Sequence, residues 1–435
     1  MHDAVSPGPF SKDGSSAPLP AAVDVAIVGG GVIGVSTAYA LARAGVRVAV
    51  FEKGTLACEQ SSRNWGWVRT LGRDLPEVPL AMRANQLWAR IQSQVDVGFR
   101  RCGMLYLQES AADAAGHEAW LASARHYGID ARLLDARTAR ALLPASPRGW
   151  TGAMYSASDG VAEPQLATAG IAALARRAGA HILEGCAVRT VERSAGRVRG
   201  LTTEHGPVAA GAVVVAAGAW SRLFCGNLGA DFPQLKVRGS VLRTHPFDAG
   251  IDAALNGKDF TCRKRKDGGY TVSQFGASMA DLVPDSLRLM RYFLRPWLAN
   301  NSLVRLRVGK RFFQELAMAR RFAPESISPF EQHRMLDPRP SRRGVEQAWR
   351  RLVQAFPVFA DARIAQSWAG YIDVTPDAMP VMDAVPGIDG LYLASGFSGH
   401  GFGIGPAAGE AMAQLVTGVK PDIDLHPFRY GRYAA

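Results

Sequence analysis

Three glycines placed as Gly29-x-Gly31-x-x-Gly34, directly after the apolar run Val25–Val28, leave this chain little choice of local structure. The stretch Val32–Ala44 that follows has a helical pattern, and a second apolar run, Val46–Phe51, ends at the acidic Glu52. This is a strand–turn–helix–strand unit. Gly29 permits the tight turn, Gly31 lets a pyrophosphate approach the backbone, and Gly34 lets helix and strand pack closely. The helix N-terminus offers free N–H groups to negative charge. A carboxylate at the end of the second strand can accept both hydroxyls of a ribose and repels a 2′-phosphate. The expectation is a dinucleotide site.

The rest of the chain must supply a sheet around that unit. Its 435 residues suffice for two domains, and no apolar run is long enough to span a bilayer. Residues 1–22, rich in Ser, Pro and Ala, lack the core of a signal peptide and read as a disordered leader. Five scattered cysteines without C-x-x-C spacing argue against a disulfide framework and against a zinc site, and suit a cytoplasmic protein. The net charge of +12 favours anionic partners, but no nucleic-acid motif accompanies it.

Periodicity places helices over 80–95, 111–127, 135–143, 164–178, 345–356 and 406–416. It places strands over 103–108, 181–192, 197–203, 213–217, 234–244, 259–273, 364–373 and 391–394. Residues 58–67 are poorly suited to a regular element, and 396–405 read as a glycine-rich loop. Between 285 and 316, arginine and lysine interleave with Leu, Tyr, Phe and Trp at helical spacing, broken by Pro296 and Asn300-Asn301. That composition suits a helix pair on an anionic bilayer surface or a lid over the substrate domain. The expected fold class is α/β: a discontinuous Rossmann-like domain (23–74, 150–226, 362–418) with a mixed α+β substrate domain (75–149, 227–361). Residues 419–435 form a tail.

This organisation resembles the flavin-dependent amine and amino acid oxidoreductases of the D-amino acid oxidase, glycine oxidase and sarcosine oxidase type. Three motifs carry the resemblance: Gly29–Gly34 with Glu52, the strand Val213–Trp220, and the loop Ser395–Gly405. Within that family the chain is similar to the membrane-associated bacterial L-amino acid deaminases, through Glu59-Gln-Ser-Ser-Arg63, Ala219–Phe224 and Ser328–Gln332. The resemblance implies FAD, held without a covalent bond, and oxidative deamination of an amino acid by hydride transfer from Cα to flavin N5. The L configuration is favoured by the resemblance alone. A secondary-amine oxidase and a flavoprotein subunit with little chemistry of its own remain as alternatives, and the electron acceptor is either oxygen or a quinone.

Residue by residue, the resemblance assigns cofactor contacts to Gly29, Gly31, Val32, Ile33, Gly34, Glu52 and Lys53. It continues through Ser61, Ser62, Arg63, Asn64 and Gly66, then Ala217, Gly218 and Trp220, and ends with Gly399, Gly401, Phe402 and Gly403. Val188 is either an adenine contact or a plain core residue. Arg263 is expected to fork onto the substrate carboxylate. His400 is either a pocket wall beside the flavin or a general base. Trp65, Trp67, Trp368 and Tyr371 are candidates for the remaining pocket. Asp373 is a candidate contact for a cationic group.

Overall fold

The computed structural model describes residues 18–274, 278–299 and 304–433. Most of the expected leader, the Asn300-Asn301 break and the last two residues of the tail lie outside that range. Ala22–Val28 forms the first strand, Val32–Arg43 the first helix and Val48–Phe51 the second strand, as the glycine pattern demands. The first strand lies parallel to Val48–Phe51 on one side and to Gly206–Val215 on the other. His181–Leu183 extends the parallel set beyond Val48–Phe51.

Gly206–Val215 does two jobs on its far edge. Its first half pairs antiparallel with Arg197–Thr203, and its last residues pair parallel with Leu391–Ser395. One sheet of eight strands is thus assembled from distant parts of the chain. The stretch 181–192, expected as one strand, divides at Gly185 (φ +62°). Its second part, Val188–Ser194, turns antiparallel to Arg197–Thr203.

The second sheet has ten strands. Leu235–Thr244 is its spine, paired antiparallel along its whole length with Ile364–Val374. The domain boundaries read from sequence shift accordingly. Ile364–Val374 and Gly152–Ser156, both assigned above to the nucleotide half, hydrogen-bond into this sheet instead. The chain crosses between the halves more often than local patterns reveal.

The glycine-rich stretch is the other difference. Only 396–400 is loop, and a helix runs Gly401–Val416 with Pro406 inside it. Glycine disfavours helix, but here the absence of side chains is what the packing needs. A Cβ on Gly409 would stand 2.5 Å from the Ser36 backbone carbon, and one on Gly405 would stand 2.9 Å from Val32 Cγ2. The first and last helices therefore touch backbone to backbone, over a core that includes Val35, Leu41, Ile404 and Met412. Residues 285–316 are not a simple helix pair. They form helices Pro284–Arg288, Met290–Ala299 and Lys310–Ala317, with a strand Val304–Arg307 paired to Ser278–Asp281. Among the described residues no helix is long and apolar enough to cross a membrane.

Candidate active site

A cleft of about 860 Å³ runs from the glycine turn, between the two sheets, to the inner face of the 284–317 segment. At its first end stands Glu52. Its Oε2 accepts from the Gly30 N–H (2.8 Å) and its Oε1 from the Gly54 N–H (2.7 Å). A carboxylate has about four acceptor sites, so capacity remains for ribose hydroxyls. Burial pushes its pKa up, against the pull of Lys53 and the two backbone N–H groups. Gly29, Gly31, Val32 and Ile33 line the same end, with Val188, Ala217, Gly218 and Trp220. Gly34 stands behind the turn, where a Cβ would come within 2.0 Å of Gly29 O.

The segment 58–67 is more regular than its composition suggests. Gln60–Arg63 makes one helical turn. The Ser61 hydroxyl accepts from the Val32 N–H at 2.9 Å, tying this turn to the N-terminus of the first helix. Asn64 Oδ1 accepts from the Gly66 N–H (2.8 Å) and shapes the bend into Trp67. Ser62 does not face the cleft: its hydroxyl turns back to Glu59 O. These residues fit a bound dinucleotide: a Cβ-free turn, an acidic anchor at one end and two helix N-termini along its length.

The far end is built by Gly399–Gly403, Tyr371, Trp65, Trp67 and the strand residues around Ser273. His400 caps the last helix, and its Nδ1 stands 3.0 Å from Oε2 of Glu77, which is fully buried. Burial would raise the Glu77 pKa, but His400 and Arg73 outweigh it and hold the carboxyl below its usual range. Asp74 joins Glu77 and His400, with ligand-type atoms within 4.8 Å of one another. Arg73 Nη1 also lies 3.4 Å from Glu77, so the cluster already holds a side-chain cation.

Two expected pocket residues are elsewhere. Trp368 is buried, donates its indole N–H to Arg63 O (3.0 Å) and is not part of the cleft wall. Arg263 is sealed behind that wall. Its Nη1 and Nη2 meet both oxygens of Glu163 (2.6 and 3.0 Å), and its Nε donates to Trp65 O (2.7 Å). A side chain 1% exposed with its fork already filled by a carboxylate has no face left for a second one. The correction lies in the partner, Glu163, a hundred residues away in sequence.

Asp373 lies on the cleft wall and also braces the backbone. It accepts from the Gly396 N–H (2.8 Å) and from Gln234 Nε2 (3.2 Å), fixing the turn ahead of the last helix. Burial pushes its carboxyl up to about 6, against these hydrogen bonds. Lys53, expected at the cofactor, donates to Glu59 (2.8 Å) and to the carbonyls of His333 and Arg334 while lying on the cleft wall. Arg63 also lines the cleft, but its guanidinium turns to Asp337, Ala369 O and Cys58 O.

Sequence reasoning missed Arg69, Arg73 and Glu77. The four-residue spacing of Arg73 and Glu77 is the one local signal that could have drawn attention to them.

Comparison with known proteins agrees with this geometry. The family described as DAO, FAD dependent oxidoreductase, matches residues 24–415. An L-amino acid deaminase from Proteus myxofaciens, solved in complex with anthranilate, superposes with a TM-score of 0.93 at 28% identity, covering 96% of this chain and 95% of that one. A glycine oxidase of Geobacillus kaustophilus is 28% identical over 94% of this chain and 97% of its own length. A sarcosine oxidase subunit beta of Rhodobacter capsulatus is 24% identical over 94% and 89%.

Two outcomes follow from the buried charges. Arg263→Met leaves the buried Glu163 carboxylate with only the Lys266 N–H and the more distant Arg265, and should cost about 3–5 kcal/mol of stability, read from denaturant midpoints. An unchanged midpoint would contradict the pairing described. Asp373 has a folded pKa raised above its unfolded value, so its contribution is fully present below pH ~4 and lost as pH rises through about 6. Asp373→Asn should therefore gain on the wild type between pH 4 and 7, and a difference constant over that range would contradict the shift.

Proposed function

The chain belongs to the DAO family of FAD-dependent oxidoreductases, which oxidise amino acids and amines at CH–NH bonds; from that premise we propose that it deaminates an amino acid oxidatively, to a 2-oxo acid and ammonia. The observation that carries this reading is the superposition on the Proteus deaminase, at TM-score 0.93 and with nearly complete coverage of both chains. The L configuration rests on the same likeness.

When bound, FAD supplies the acceptor for the two electrons leaving the substrate Cα–H. The chain's own residues do the rest. Glu52 and the N-terminus of the first helix hold the nucleotide end. The N-terminal end of the last helix, at Gly401–Gly403, would face the bound cofactor and would favour negative charge there. Trp65, Trp67 and Tyr371 wall the substrate space and exclude water. Attachment is non-covalent. Among the described residues Cys58 is the one cysteine on the cleft wall; it lies near Glu52, and burial beside that carboxylate pushes its thiol up to about 12.

The 284–317 segment roofs the cleft through Leu287, Met290, Phe293 and Trp297. Leu287, Met290, Leu294 and Leu298 are also about half exposed or more, with Arg288, Arg291 and Arg295 between them. An apolar rim set among arginines suits peripheral contact with an anionic bilayer, which would give a lipid-borne quinone access as electron acceptor.

Anaerobic mixing with a panel of L- and D-amino acids tests the reaction. L-amino acids should bleach the flavin and release ammonia on turnover. Bleaching only by sarcosine or proline, with formaldehyde or a cyclic imine as product, would move the reading to secondary amines. Sedimentation with phosphatidylglycerol vesicles tests the rim. Met290→Glu/Leu294→Glu should release the protein to the supernatant with its flavin content intact, and unchanged sedimentation would rule out contact through this segment.

A further inference from the structure

Among the described residues His400 is the one histidine on the cleft wall. It stands at the head of the last helix, where the backbone is pinned. Its N–H donates to Phe397 O (2.7 Å), its carbonyl accepts from Arg73 Nη2 (3.5 Å), and Trp88 holds Gly403 just beyond it (2.8 Å). Behind the wall lies Glu77, at the end of the turn Leu75–Glu77 that leads into the helix Val78–Gln92. Glu77 is sealed from solvent and lies outside the cleft lining, whereas the His400 side chain is 22% exposed. His400 Nδ1 is buried 3.0 Å from Glu77 Oε2. The ring edge that carries Nε2 is the one left to the cleft.

A buried carboxylate beside one ring nitrogen sets the tautomer. It favours the proton on Nδ1 and leaves Nε2 with its lone pair. Burial works against charge on Glu77, but His400 and Arg73 outweigh it, so the carboxyl stays ionised. The other charged or titratable groups around the pair are Asp74, whose carboxylate joins the cluster, Arg69, which acts on Glu77, and Tyr371 on the cleft wall. A carboxylate behind, an oriented imidazole in front and an open cleft beyond are the parts of a proton acceptor.

The reaction needs one. An amino acid reaches the cleft at neutral pH with its amine protonated. An ammonium nitrogen has no lone pair to give to a forming C=N bond, so Cα cannot release a hydride until a proton has left that nitrogen. We propose that His400 Nε2 takes this proton from the substrate's ammonium group, and that Glu77 is the positioning residue that turns the imidazole to do so. This deepens the deamination reading and rests on it. One proton passes from nitrogen to Nε2, the freed lone pair closes the C=N bond as the hydride leaves Cα for bound FAD, and His400 returns its proton to water once the imino acid has gone.

Two measurements test the pair. The first is the anaerobic rate of flavin bleaching at limiting amino acid, followed from pH 7 to pH 9. The wild type should be nearly level, because it uses the protonated amine that predominates in solution. His400→Asn can use only the neutral fraction. Its rate should be about 100-fold lower at pH 7 and climb about tenfold per pH unit towards the wild-type value. A wild type that itself climbs tenfold per unit, or a variant slowed equally at every pH, would overturn the assignment. The second needs no turnover. In ¹⁵N-imidazole spectra of the flavin-loaded protein at pH 9, His400 should carry its proton on Nδ1, and Glu77→Gln should shift it towards Nε2 while steepening the pH profile. A wild-type proton on Nε2 would overturn the assignment even if the asparagine variant does not fold. Failure of the deamination reading looks different: no amino acid bleaches the flavin at any pH, and the assignment falls with it.

Discussion

Two helix N-termini open onto one cleft because glycines allow two helices to meet backbone to backbone. Gly405 and Gly409 of the last helix press against Val32 and Ser36 of the first. The first helix is in turn pressed onto its strand at Gly34. Everything that handles negative charge follows from that contact. It sets the Val32 and Gly401 ends of the two helices along the same wall, where their N–H groups and dipoles act together. Trp88, on the helix Val78–Gln92, secures the arrangement by donating its indole N–H to Gly403 O at 2.8 Å.

Charge is then distributed by pairing. The site carries far more cations than one substrate needs, and the structure neutralises nearly all of them locally. Glu163 takes Arg263 and also lies within 3.8 Å of Arg265. Glu77 is shared by Arg73 and His400. Glu315 binds both Lys236 on the second sheet's spine and Arg311 on its own helix, and Arg311 lies 3.7 Å from the Tyr371 ring centroid. Those last contacts tie the 284–317 segment to the cleft wall through ions and an aromatic face.

The parts legible in the sequence are those whose physics is local. The glycine turn, the helix behind it and Glu52 follow from spacing alone, and the returning strand around Val213–Val215 follows from its apolar run. The parts that were not legible depend on distant partners. Gly401–Gly405 reads as loop because glycine is a poor helix former, and only the approach of Trp67 O to Gly403 and of Val32 to Gly405 explains why glycines stand in a helix there. Ile364–Val374 carries no local mark of which sheet it joins. Resemblance located Arg263 but could not show that Glu163 fills its fork. Val304–Arg307 is a different case. Its period-two alternation of apolar and basic residues was a strand signal, and the surrounding helical pattern obscured it.

The account rests on a cleft shaped for one flavin dinucleotide. The most direct measurement is the visible absorption spectrum of the purified chain, after incubation with FAD and removal of the excess by gel filtration. Retained flavin bands in about one-to-one ratio with protein, released on denaturation, are the predicted result. A protein that emerges colourless would contradict the cleft's assignment and everything derived from it.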